Sequence, residues 1–152
     1  MLVADIYNTN VFPISDGITI KDALQTIINK HFNGVVVVDK NKKLVGILSL
    51  QDIAGAIVPD EIKRNPTLAD AFYKPNFFKE LCKKIEGKYV KDIMRKEFIT
   101  VTPETSVITV AADFLSNDLY MIPVMSENNI VGIITRSEIK KALAIGMEIV
   151  SK

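Results

Sequence analysis

One phrase occurs twice in this chain, and that repetition limits the fold more than any other feature. VGILSLQD at 45–52 returns as VGIITRSE at 131–138. The match extends well beyond the phrase. With Val3 laid on Val90, Asp5-Ile6 falls on Asp92-Ile93, and Ile14-Ser15 falls on Val101-Thr102. A helical period follows in each copy, through Ile20, Ala23, Leu24, Ile27 and Ile28 and again through Val107, Val110, Ala111, Phe114 and Leu115. Each set predicts one apolar stripe on a helix. Short branched runs come next, VVVV at 35–38 and MIPV at 121–124. Polar turns and a second run, LVGIL or IVGII, then predict a pair of strands. A final helix starts near Leu50 and near Arg136.

Each unit reads strand, helix, strand, strand, helix. A unit of this size has an apolar sheet face that it cannot cover alone. Two units related by a pseudo-twofold axis can bury both faces, sheet to sheet. The fold class is therefore α/β (α+β), with two β-α-β-β-α repeats packed sheet to sheet and a helical insertion between them. Residues 1–58 form the first repeat, 59–89 the insertion and 90–152 the second repeat. The 152 residues, 48% of them hydrophobic, are enough for one shared core.

Within the repeated phrase, Ser49 and Asp52, like Thr135 and Glu138, have the spacing of a capping box. In that motif the hydroxyl accepts from an N–H of the first turn, and the acid three residues on reaches back to the N-cap N–H. The cap alone accounts for the spacing and is worth about 0.5–2 kcal/mol. The same helix N-termini offer free N–H groups and partial positive charge, which suit phosphates and sugar hydroxyls. Gly46 and Gly132 suit close packing of backbone on backbone.

The motifs VKDIM at 90–94, FITVTPETSV at 98–107, MIPV at 121–124 and VGIITRSE resemble a tandem pair of cystathionine-β-synthase (CBS) domains, a Bateman module. The first copy, with VADIY, VFPISDGITI, GVVVVD and VGILSLQD, matches more loosely. The resemblance implies that the hydroxyl and acid contact an adenosine-containing ligand, the acid receiving the ribose diol. It also implies sites shared between repeats. Ser49 and Asp52 would face Phe98, Ile99, Thr100, Met121 and Ile122. Thr135, Arg136 and Glu138 would face Phe12, Pro13, Gly34 and Val35. Asp52 keeps the family's acid, whereas Glu138 is one methylene longer, so the Asp52 site ranks first. Phosphate-binding members carry a basic residue before the second strand, where this chain has Asn33-Gly34 and Tyr120-Met121. Arg136, Arg95 and Lys96 are the remaining phosphate candidates, and Leu50 stands where Arg136 stands in the other copy. AMP, ADP or ATP, S-adenosylmethionine and methylthioadenosine all remain in view. The resemblance further implies a homodimer, to which the apolar tail ALAIGMEIV at 142–150 would contribute, and signalling to an unidentified protein partner. The alternative is a dimerisation scaffold whose hydroxyl–acid pairs are only caps.

The unrepeated 59–89 segment predicts helices at about 67–73 and 77–86, with Asn76 as a cap and Gly87 as a stop. It holds Phe72, Tyr73, Phe77, Phe78 and Tyr89, five of the chain's eleven aromatics. That density predicts a helical hairpin packed on the module, with a docking face or lid as the second reading. Cys82 reads as a small buried residue.

Enzymatic chemistry has little to work with. His31 is the one histidine and Cys82 the one cysteine, too few for a zinc centre of the usual kind or a Ser–His pair. No phosphate loop of the Walker type occurs. A formal charge of +1, from 19 basic and 18 acidic residues, gives no footprint for nucleic acid or an anionic membrane. A lone cysteine, the lack of a signal-peptide pattern and the lack of an apolar span predict a cytoplasmic protein that is not an enzyme.

Overall fold

The computed structural model describes residues 1–151. A 3-10 turn at Val3–Asp5 opens the chain, followed by β1 (Ile14–Ser15), α1 (Ile20–Lys30), β2 (Gly34–Val38), β3 (Leu44–Ser49) and α2 (Leu50–Ile57). The insertion holds α3 (Asp60–Arg64), a 3-10 segment (Pro66–Phe72) and α4 (Phe77–Ile85). The second copy runs through α5 (Val90–Ile93), α6 (Val107–Asn117), β4 (Met121–Ser126), β5 (Asn129–Thr135) and α7 (Arg136–Gly146).

Strand order in the first sheet is β1-β2-β3, with β1 parallel and β3 antiparallel to β2. In the second copy β4 and β5 pair antiparallel, and the expected leading strand shrinks to a single parallel bridge from Val101 to Val124. Pseudo-symmetry reaches fine detail. The irregularity in pairing after Val37 recurs after Val124. Both α1 and α6 end on a left-handed residue, His31 at φ 56° and Asp118 at φ 46°, a helix-ending conformation that a short polar side chain tolerates.

Alternation along the strands sorts side chains into three cores, because successive residues point to opposite faces of a sheet. Val35, Val37 and Leu48 face the helices of the first half, with Ile20, Ala23 and Ile27. Ile122, Val124 and Ile134 face those of the second, with Val101 and Val110. The residues between them, Val36, Ile47, Met121 and Ile133, meet in the third core, which joins the two sheets. A register slip of one residue would exchange these faces, so the hydrophobic pattern fixes the pairing. The helical stripes are narrower than their period predicts. Ile28 and Leu115, the last position of each, face solvent at 58% and 88% exposure.

The leading segment of each copy packs in the other half. Val3 and Ile6 belong to the core of the second copy, while Val90, Ile93 and Met94 pack in that of the first. Two backbone hydrogen bonds clamp each crossing: Asn8 N to Ile133 O (3.0 Å) and back (2.9 Å), and Arg95 N to Ile47 O (2.8 Å) and back (3.0 Å). These crossings explain the repeated glycines. A Cβ on Gly46 would lie 2.6 Å from Met94 Sδ and 3.0 Å from Arg95 O. One on Gly132 would run into the Tyr7 ring and lie 2.8 Å from Asn8 O.

The insertion departs from its expected form. Its first helix is 3-10 over Pro66–Phe72, its second ends at Ile85, and α3 is additional. Asn76 precedes α4 in a left-handed conformation without a side-chain cap, and Gly87 has no positive φ. Ile85 joins the first core, but Phe72, Tyr73 and Phe78 are 42%, 80% and 70% exposed. Cys82 is half-buried.

Candidate functional site

Both hydroxyl–acid pairs form closed capping boxes at the junctions of strand and helix. At the first, Asp52 Oδ2 accepts from Ser49 N and from Ser49 Oγ, each at 2.8 Å, and Ser49 Oγ accepts from Asp52 N at 3.2 Å. At the second, Glu138 Oε2 accepts from Thr135 N at 2.8 Å and from Thr135 Oγ1 at 2.6 Å, while Thr135 Oγ1 accepts from Ser137 N at 3.2 Å. Ser49 and Glu138 are buried, at 2% and 9% exposure. Such buried polar atoms are tolerable because they are paired. One oxygen of each acid is thereby committed. The other oxygen of Asp52, Oδ1, faces Arg95 Nη2 at 3.8 Å.

Between the two caps lies a cavity of about 300 Å³, lined by Asn33, Leu50, Gln51, Tyr120, Thr135, Arg136 and Ser137. The repeat relates Asn33 to Tyr120, Leu50 to Arg136 and Gln51 to Ser137, so the cavity straddles the pseudo-twofold axis. Its volume is at the lower edge of the roughly 300–1,000 Å³ range of small-molecule pockets. The first turns of α2 and α7 both border it, and the partial positive charge of the two helix N-termini, with the exposed Arg136, makes it suited to an anion.

Two much tighter spaces flank it. One, of about 10 Å³, is lined by Ile47, Ser49, Asp52, Arg95, Phe98, Leu119, Tyr120 and Met121. The other, also about 10 Å³, is lined by residues including Phe12, Gly34, Val35, Met121 and Ile133. Ser49, Asp52, Phe98 and Met121 thus line one space together, and Phe12, Gly34 and Val35 line another. Thr135 and Arg136 border the axial cavity instead. Ile122 turns into the core of the second half, and Ile99 packs beside it. Thr100 opens onto a separate surface hollow with Lys43 and Met125. Pro13 is exposed, and Glu138 lines none of these spaces, since its carboxylate is turned into the cap. Phe12 is held by Lys30, whose Nζ lies 4.6 Å above its ring.

Tyr120 is the residue that sequence reasoning undervalued. It borders both the axial cavity and the Asp52 space. Its ring fills the room where a Cβ on Gly34 would sit, with Cε1 only 2.6 Å away. Burial pushes its phenol above the ordinary range; Asn33 opposes that, the Glu138 carboxylate adds to it, and the Arg136 guanidinium opposes it. The signal available was a large amphipathic ring where the other copy has the small polar Asn33.

Comparison with known proteins places the fold. The CBS-domain family model matches residues 3–59 and again 90–145. The uncharacterised protein MJ1426 of Methanocaldococcus jannaschii is 28% identical, across 94% of this chain and 91% of its own length. Two further relatives from that organism are longer, the chain spanning 39% and 42% of them. Among solved structures, the domain pair of MJ0100, in complex with 5′-methylthioadenosine and S-adenosyl-L-methionine, superposes with a TM-score of 0.70 at 25% identity, over 94% of this chain and 99% of that one. The fold also matches CBSX2 in complex with AMP, with a TM-score of 0.69 at 23% identity, covering 95% and 98% of the two chains. Among the described residues, no helix is long and apolar enough to cross a membrane.

Proposed function

Because the chain belongs to the CBS-domain family and carries that domain twice, we propose that it is a regulatory module that binds an adenosine-containing ligand between its halves. The observation that carries this reading is the pair of hydroxyl–acid caps opening helices whose first turns border one cavity on the pseudo-twofold axis, with Ser49 and Asp52 lining the space next to it. Asp52 keeps one carboxylate oxygen outside its cap, where a ribose diol can donate to it. Ile47, Phe98, Leu119 and Met121 supply apolar walls for a base beside it. The axial cavity, with Gln51, Ser137 and Arg136, takes the polar end of the ligand, whether a phosphate or the tail of an adenosyl compound. The ligand complex of MJ0100 supports this choice of chemistry.

On this reading the output is conformational. A ligand shifts the module only as far as it prefers one arrangement of the halves over another. The shift then acts on a protein partner or on a second protomer in the cytoplasm. Leu143 of α7 and Met147, Ile149 and Val150 just after it, at 49–71% exposure, support a homodimer through the end of that helix and the segment that follows.

A thermal-shift panel with AMP, ADP, ATP, S-adenosylmethionine, methylthioadenosine and NADH tests the reading. At 100 times its Kd, a ligand stabilises by about 2.7 kcal/mol. At roughly 2–4 °C per kcal/mol for a chain of this size, the melt should rise by about 5–10 °C. Asp52→Ala should abolish most of that rise. A second reading, a dimerisation scaffold, is favoured by the closed caps and by the tightness of the space beside Asp52. Melts unmoved by every ligand at millimolar concentration would select the scaffold.

A further inference from the structure

We propose that Arg95 is a displaceable lid on Asp52, and that its charge makes this site select against cationic adenosyl ligands. The inference rests on the adenosine-binding reading above and adds what governs entry and choice. Three observations meet here. Arg95 Nη2 stands 3.8 Å from Asp52 Oδ1, the one carboxylate oxygen that the cap leaves over. The space that both residues line is about 10 Å³, room for about one water and not for a sugar. The Arg95 backbone is fixed by its two hydrogen bonds to Ile47, so only the side chain can leave.

The contact is built to be broken. At 3.8 Å it is longer than a charge-assisted hydrogen bond, and the Arg95 side chain is 37% exposed. The Asp52 side chain is 16% exposed, but a pair this long with its cation open to water is weak, so a ribose diol can take the carboxylate while the guanidinium swings to solvent. It stays tethered beside the site, where its charge attracts a phosphorylated ligand and repels a sulfonium. The other half has no such device. Asn8 occupies the position related to Arg95, is neutral, and turns its Oδ1 to Asn10 N at 2.9 Å. The lid therefore adds to what already separates the two halves, the Asp52/Glu138 and Leu50/Arg136 differences.

Calorimetric titration of wild type, Arg95→Met and Arg95→Lys with 5′-methylthioadenosine, AMP and S-adenosylmethionine tests this, after ligand-free melts establish that each variant is folded. Arg95→Met should bind the neutral methylthioadenosine about 2–5-fold tighter, the value of a weak ion pair. Its preference for AMP over S-adenosylmethionine should shrink, and Arg95→Lys should stay close to wild type. In an Asp52→Asn background the gain from Arg95→Met should vanish. Unchanged methylthioadenosine affinity in Arg95→Met, or an unchanged AMP preference, would overturn the lid while leaving the adenosine-binding reading intact. Absence of binding by any of the three ligands to every variant would overturn both.

Discussion

Replacing Gly132 with alanine puts the crossed packing of the two halves under direct strain. The new methyl carbon would lie 2.7 Å from Tyr7 Cε2, closer still to Cδ2, and 2.8 Å from Asn8 O. Ring and carbonyl belong to the leading segment, which is tied to β5 through the Asn8–Ile133 pair of hydrogen bonds. The ring can tilt, but the carbonyl can retreat only by lengthening those bonds. Overpacking of this kind costs about 1–3 kcal/mol, and each weakened hydrogen bond adds up to about 0.5–1.5 kcal/mol. We expect a loss of about 2–3 kcal/mol, or roughly 4–12 °C in the thermal midpoint. Gly46→Ala should cost less, about 1–2 kcal/mol, because its two closest neighbours are atoms of the flexible Met94 side chain and the Arg95 carbonyl lies farther off, at 3.0 Å. Chemical denaturation of Gly132→Ala with and without Tyr7→Ala isolates the ring's share. The glycine substitution should be milder by at least about 1 kcal/mol once the ring is gone. A Gly132→Ala melt within 1 °C of wild type, or an equal cost in both backgrounds, would refute the crossed packing.

Ser49→Ala should lower stability by about 0.5–2 kcal/mol, near the upper end because Asp52 loses a partner in a site where Ser49 is 2% exposed; urea titration would read it, and a neutral result would mean that the cap is not formed. Alkaline pH should destabilise the module through Tyr120. Its native proton is held above the ordinary value of about 10, so the associated stability is whole below that pH. Stability then falls as pH rises through the higher native value, because the unfolded chain deprotonates first. Tyr120→Phe should flatten the decline above pH 10, and an identical pH profile would remove Tyr120 as its source.

The sequence was legible where local pattern and long-range structure agree. Branched runs at 35–38 and 121–124 became strands, and the [ST]-x-x-[DE] spacing became two real caps. The repeat foretold the axis that joins Val36, Ile47, Met121 and Ile133. Which half receives Val3 and Val90 was not legible, because an internal alignment pairs equivalent residues without saying whose core they enter. Ile28 and Leu115 had the right period but lie at the rim of their stripes, where only the neighbouring element decides exposure. The aromatics of the insertion misled for a related reason. Hydrophobicity predicts that a ring prefers burial, yet Tyr73 and Phe78 have too little structure around them to obtain it. Around the candidate site, Ser49 and Asp52 were readable from spacing as a cap. Tyr120 and the Arg95 contact depend on side chains meeting across the two halves, which no local pattern records.

The crossed leading segments carry a consequence for ancestry and for engineering. A polypeptide with a single repeat lacks the piece that completes its own core, since that piece is carried by its twin. Two such polypeptides could satisfy each other only by reciprocal exchange, the arrangement of a domain-swapped dimer. Joining them end to end makes that exchange intramolecular and independent of concentration. The 59–89 segment is then the tether that keeps the two reciprocal donors on one chain. Cutting there should yield fragments that fold together or not at all.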